Sequence, residues 1–363
     1  MSTTVFVLGA GASKQAGAPL MNDFLDKARD LLARGEVDSY APSFRNVFRA
    51  IGRLQRVHSK ANLDIHNLEE VFAAFEMARI LKKLADFELK LVDNLSKDMR
   101  ILITRTIENS LLFPAQIGER DNYVYYRTPP PYGEFVHLLQ HLRGNAVPNH
   151  DVTVVTFNYD LAVDFALCYE RIEHNYCLDD SDDSGQVDLL KLHGSLNWIY
   201  CKKCGRIHKY DLSGISNGPQ RVVRNPGNGT LFPLEIDSEL VELYCGQETS
   251  IPDPMIVPPT WDKSDGHKTL ACVWRKSAEK LGNAENIFII GYSLPQSDAF
   301  FRYLFALGSE GDRPLRNVVV YNPAEDPRQR FETLLGPGAK NRFVYKTMKF
   351  DEAIEDIKMM FPG

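Results

Sequence analysis

The stretch "TTVFVLGAGAS", residues 3–13, decides the fold. Apolar and β-branched residues run without alternation from Thr3 to Leu8 and stop at a glycine turn, after which Phe24, Leu25 and Leu31 follow at helical spacing. An unbroken apolar run is what a strand covered on both faces requires. Four later stretches share the form: "VTVVTFNYD" (152–160), "LLKLHGS" (189–195), "NIFIIGYS" (286–293) and "NVVVYNP" (317–323). Each ends abruptly in a small or polar residue, and helical stretches separate several of them. This pattern predicts a doubly wound, Rossmann-like parallel α/β sheet. The carboxyl ends of such strands open on a shared crevice, so Gly9, Gly11, Asn158, His193, Gly291 and Asn322 are expected to converge there.

At 363 residues the chain is longer than one hydrophobic core usually serves, which implies a main domain carrying a second unit. Its 44% apolar and 25% charged content is that of a soluble globular protein. Forty-two basic against forty-eight acidic side chains leave a net charge of −6, without a Lys/Arg cluster able to track a phosphate backbone. Direct nucleic-acid binding is therefore not expected. No apolar run reaches the ~18 residues of a membrane-spanning helix, and the chain enters its first strand too soon for a signal peptide. Six cysteines, of which only Cys201 and Cys204 form a recognisable pair, suit a reducing cytoplasm better than a disulfide framework.

Two excursions interrupt the strand pattern. Between Pro42 and Pro114, Leu68, Val71, Phe72, Phe75, Leu84, Leu91, Leu95, Met99, Leu102 and Ile103 recur at three- and four-residue spacings, which predicts helices. The "TPPPYG" stretch, 128–133, reads as a stiff connection back to the sheet. The second excursion opens at the Cys pair and passes through the Gly/Asn/Pro-rich segment 213–229 before returning at "PMIVPP", residues 254–259. The acidic "DDSDD" at 179–183 reads as a solvated loop. The expected division is a Rossmann domain over 1–35 and 148–363, a helical insertion over 36–147, and a small Cys-bearing module over 198–253.

Each motif admits a plain reading beside a chemical one. The turn Gly9, Ala10, Gly11, Ala12, Ser13 either cradles a pyrophosphate on free amides or is a simple strand-to-helix turn, with Lys14 standing where a third glycine would be. Asn158 is a turn residue, or its amide orients a ribose hydroxyl or a water. His193 is a buried imidazole, or a general base that Gly194 leaves open to a ligand. Ser293 and Asp298 either bond a phosphate or ribose, or Ser297 or Asp298 caps a helix. Cys201 and Cys204 have the spacing of half a zinc ribbon. His208 and Cys245 can complete four ligands, or the module is degenerate and held by packing; no metal ligand is assigned and zinc stays open.

Taken in order, "GAGAS", "TFNYD", "LHGS", a Cys-bearing module, "GYSL" and "YNP" resemble the sirtuin family. More closely, they resemble the sirtuin-like domains of bacterial anti-phage defence, such as the NAD-degrading effectors of Thoeris and of Argonaute- or HerA-associated systems. The resemblance spans most of the chain, from Gly9 to Asn322. It implies an NAD pocket with Gly9, Ala10, Gly11, Ala12 and Ser13 on the phosphates, Asn158 and Asp160 beside nicotinamide and its ribose, and His193 as the catalytic histidine. Gly291 and Ser293 match the phosphate and ribose loop, and Asn322 the adenosine side. Two departures weigh against deacylation. "GAPLMNDF" spreads Pro19, Asp23 and Phe24 apart without an arginine, and a second Cys-x-x-Cys is missing.

The activity so implied is NAD glycohydrolysis with Asn158 and His193 as catalytic residues and NAD as substrate. A homo-oligomer controlled by a protein partner, a HerA-like ATPase or another defence sensor, is expected, because unchecked NAD loss kills the host. The rival readings are an NAD-dependent protein deacylase and a non-catalytic module binding NAD or ADP-ribose.

Overall fold

The computed structural model describes residues 3–55, 63–84, 89–117, 123–146, 150–179, 187–210, 212, 220–221, 231–234, 240–242, 245–246, 248–250, 254–257, 268–295, 298–307 and 314–362. The acidic loop beyond Asp179 and most of the segment 213–229 lie outside the described residues.

The main sheet contains β1 (Thr3–Leu8), β2 (Asp151–Thr156), β3 (His174–Asn175), β4 (Val187–Lys191), β5 (Asn286–Ile290), β6 (Asn317–Tyr321) and β7 (Phe343–Lys346). All neighbours pair in parallel, in the order β7-β6-β5-β1-β2-β4-β3. The expected α/β class is thus present: β1, β2 and β4 run outward one way, β5, β6 and β7 the other, as in a dinucleotide-binding fold. Every residue of β1, β4 and β5 is buried, which is the two-faced covering their unbroken apolar character signals.

The surrounding helices are α1 (Ala10–Ser13), α2 (Phe24–Arg34), α3 (Ala41–Leu54), α4 (Leu68–Leu81), α5 (Leu89–Ser110), α6 (Tyr132–His141), α7 (Ala162–Tyr169), α8 (Ala271–Gly282), α9 (Ala299–Leu307), α10 (Arg328–Leu334), α11 (Pro337–Lys340) and α12 (Phe350–Met360). α6 packs on α7 and α12, and α8 on α9. Phe6 on β1 meets Phe135 of α6 edge-on at 5.2 Å and Phe288 of β5 at 5.5 Å. Burying each such ring contributes roughly 1.5–3 kcal/mol.

The helices expected between the first two strands are present as α3, α4 and α5, with α3 and α4 each packed on α5. Asn67 caps α4 by accepting from the amides of Glu69 and Glu70 at 2.9 and 3.4 Å. The 36–147 segment is not helical throughout. Leu112–Ile117 and Tyr123–Tyr126 form an antiparallel hairpin, and Leu231–Pro233 and Gln220–Arg221 pair on its two sides. The two excursions therefore share one small sheet. Phe113 anchors it, fully buried and 5.0 Å from Phe165 of α7. Two short strands carrying a proline leave no periodicity that a reading of the sequence can use.

Candidate functional site

The topological switch lies between β1 and β5, and the turns leaving these strands interlock. Gly9 N donates to Ile290 O at 3.0 Å, Gly11 N to Gly291 O at 2.8 Å, and Ala12 N to Gly9 O at 3.0 Å. A Cβ on Gly291, whose φ is +63°, would lie 2.2 Å from Ala12 N, and one on Gly11 would lie 2.7 Å from Gly291 O. Of the turn expected to face a phosphate, the amides of Gly9, Gly11 and Ala12 are thus engaged by protein carbonyls. What the glycines permit is backbone-to-backbone contact between the two halves of the crevice.

Below this turn a buried polar network fixes the next motif. Asn158 donates through Nδ2 to Gly9 O at 2.9 Å and to Ser13 Oγ at 3.1 Å. Ser13 Oγ donates to Asp160 Oδ2 at 2.6 Å and lies 2.7 Å from the Tyr132 hydroxyl. Asp160 Oδ1 accepts from Ala162 N at 3.0 Å, so its carboxylate is held by protein groups rather than turned to the crevice. Burial pushes the Asp160 carboxyl up, while Lys191, Ser13 and Ala162 pull it down. Burial pushes the Tyr132 phenol well up, keeping it a neutral donor. Lys191, fully buried, donates to Asp160 O at 2.6 Å and pairs with Asp164 at 2.7 Å. Tyr176 donates to the other Asp164 oxygen at 2.6 Å. A sequence reading had no reason to select Tyr132, Lys191 or Asp164, since their partners stand far away in the chain.

His193 follows β4 on the same rim. Its ring meets Phe157 edge-on at 5.2 Å and Tyr159 at 6.1 Å, and Phe157 stacks on Tyr292 at 4.4 Å beside the Gly9 turn. The histidine is 6% exposed. Its Nε2 lies 3.6 Å from Asp298 Oδ1, a contact the sequence did not disclose. Gly194 does not open the ring to a ligand as expected. Its φ is +84°, and a Cβ would meet Met255 O at 2.1 Å, so the space beside it belongs to the segment 254–257. That segment is bonded throughout. Ser195 N donates to Met255 O, Met255 N to Trp198 O, Val257 N to His193 O, Arg100 to Ile256 O and Tyr159 to Val257 O.

On the far side of the switch, Ser293 is exposed. Asn322 is buried, donating to Tyr292 O at 3.3 Å and accepting from Ala324 N at 3.0 Å, so it braces backbone rather than facing the crevice. A cavity of about 730 Å³ opens here, lined by Leu294, Asp298, Arg302, Tyr303, Asp326 and Arg330 among others.

Apart from the crevice, Cys201, Cys204, His208 and Cys245 place their ligand atoms within 4.8 Å of one another. The hairpin Trp198–Cys201/Arg206–Lys209 carries the first three. Cys201 and Cys245 sulfurs are 3.4 Å apart, and Cys204 Sγ is 3.2 Å from His208 Nε2. The Cys204 backbone N–H, followed by the neighbouring thiols, brings the Cys201 thiol down to about 7. Three thiols and an imidazole at these separations form a group suited to a metal ion, made of the Cys pair with the His208 and Cys245 that the sequence offered to complete it.

No family model matches the chain, and no curated protein matches it. Among solved structures, the chain is similar to a Sir2 homolog in complex with NAD, at 12% identity over 99% of this chain and 89% of that one, with a TM-score of 0.38. It is also similar to Sir2Tm bound to a propionylated peptide, at 13% identity over 98% and 92% of the chains, with a TM-score of 0.35.

Proposed function

We propose that this chain is a sirtuin-like NAD glycohydrolase that converts NAD to nicotinamide and ADP-ribose. The observation that carries the reading is the gathering of the Gly9–Ser13 turn, Asn158 and His193 on one rim, at the switch point of a sheet with dinucleotide-binding strand order. The order of motifs along the chain supports the same reading.

The bond to be broken joins a cationic nicotinamide to an anomeric carbon. Its cleavage passes through an oxocarbenium-like state, and nicotinamide leaves with the bonding electron pair as a neutral base. Water adds its oxygen to the anomeric carbon and gives up a proton. The protein's task is to position and polarise. In this reading Asn158, held by Gly9 and Ser13, orients the ribose hydroxyls or the water, and His193 accepts the proton.

The segment 255–257 favours water over a protein as the acceptor. A deacylase must seat an extended acyl-lysine chain near the histidine, and strand addition needs open backbone groups. The N–H and C=O groups of Met255 and Val257 and the carbonyl of Ile256 already have partners on other segments, and Ile256 N is turned in to Pro254 O.

The reading extends to a Rossmann domain over 1–35 and 148–363 with the insertions at 36–147 and 198–253, and to a structural zinc on Cys201, Cys204, His208 and Cys245. The Cys₃His donor set suits zinc, whose sulfur ligands sit at about 2.3 Å. A cytoplasmic homo-oligomer, silent until a partner such as a HerA-like ATPase or another defence sensor engages it, accounts for tolerance of such an activity in a bacterial cell.

The test is to incubate purified protein with NAD, with and without the neighbouring gene's product, and to follow nicotinamide by chromatography. Release without any peptide is expected. Release only when an acyl-lysine peptide is added would establish the deacylase instead, and saturable NAD binding without product would establish the binding module.

A further inference from the structure

His193 is enclosed from several elements. Phe157 and Tyr159, in the β2–α7 turn, cover its ring, and Val257 N donates to its carbonyl at 2.7 Å. Asp298, immediately before α9, directs Oδ1 at Nε2 from 3.6 Å, and each of the two side chains is 8% exposed. A carboxylate at that depth is costly unless it is bonded and paired. Tyr292 supplies the bond, donating its hydroxyl to Asp298 Oδ2 at 3.0 Å, and stacking on Phe157 fixes the phenol in place. Tyr292 is thereby aimed at the carboxylate, and the carboxylate at the imidazole.

We propose that Asp298 is the positioning residue of His193: it holds the ring with Nε2 toward the carboxylate and stabilises the imidazolium formed on proton uptake. The inference rests on the reading of His193 as the base. At 3.6 Å the contact is longer than a hydrogen bond but within ion-pair range, so its attraction appears when the ring gains its proton. Charges from the insertion also reach this region. Glu69 of α4 and Arg100 of α5 act on Tyr159 with opposite sign, and Glu69 acts on Tyr292. Burial, reinforced by Asp298, pushes both phenols up and keeps them neutral, so neither competes for the proton. A role for Asp298 limited to opening α9 would leave the imidazole's titration untouched.

Asp298→Asn keeps the volume and an acceptor for Tyr292 while removing the charge. His193 is titrated by NMR on protein labelled at the ring nitrogens, in the absence of substrate, and nicotinamide release is measured against pH. A nearby carboxylate favours the protonated ring, so its removal is expected to lower the His193 midpoint by about one pH unit or more. The acid limb of kcat/KM should move down with it, kcat should fall about tenfold or more, and KM should change by less than about twofold. Asp298→Glu, which retains the charge, is expected to keep the wild-type midpoint within about half a pH unit, and serves if the Asn variant does not fold. An unmoved midpoint in Asp298→Asn, or a fall of a full unit in Asp298→Glu, overturns the proposal. If the midpoint moves as expected but wild-type protein releases no nicotinamide either alone or with the neighbouring gene's product, the pairing stands and the glycohydrolase reading falls.

Discussion

The two halves of the crevice are built on opposite principles. On the β1–β2–β4 side, Ser13, Tyr132, Asp160, Asp164, Tyr176 and Lys191 are buried and bonded to one another, with Asn158 at the edge of the network. On the β5–β6 side, Ser293 is exposed and an open cavity of about 730 Å³ separates α9 from α10. A network in which each group's partner is also buried tolerates little movement, because every displaced group loses a bond it cannot regain from water. An open half can adjust to what it binds. Under the proposed reading, the first side and the buried Tyr292–Asp298 pair orient the reacting groups, and the exposed surface around Ser293 makes adaptable contact.

The largest effect should come from breaking the first half at its centre. Lys191→Met leaves Asp164 buried without its cation and should cost about 3–5 kcal/mol in urea unfolding. Asn158→Ala should leave the unfolding midpoint nearly intact while nicotinamide release falls about a hundredfold, since what is lost is alignment. Ser13→Ala removes the hydroxyl that joins Asn158, Asp160 and Tyr132, and should cost about 1–3 kcal/mol by the same unfolding measurement. Ser293→Ala, on the open side, should change stability by no more than about 0.5 kcal/mol, with any effect confined to NAD affinity by calorimetry. Equal costs for Ser13→Ala and Ser293→Ala would erase the distinction.

Much of the frame was legible in residues 3–8, 152–156, 189–191, 286–290 and 317–321, because an unbroken apolar run reports burial on both faces of a strand. Short elements were less so: β3 spans His174–Asn175 alone, and the hairpin Leu112–Ile117/Tyr123–Tyr126 carries no clear alternation. Within the site, Asn158 and His193 stood out as polar residues ending apolar runs. The glycines stood out too, yet the space beside Gly11 and Gly194 is occupied by the chain's own backbone. A glycine signals close approach without saying what approaches. Asp298 was visible as a polar residue after a strand, but its aim at His193 was not.

The amino-acid order by itself determined which segments become buried parallel strands and which residues stand at their ends, since both follow from local patterning and the chemistry of single side chains. Only the tertiary structure decided that Asp298 faces His193, that Ser13 joins Asn158 to Asp160, and that Cys245 meets the Cys201–Cys204–His208 hairpin. These contacts bring together residues as far apart as 147 positions, and nothing in local periodicity encodes the partner. Which side chains meet is set by how the strands are ordered in the sheet and how the loops close over its edge.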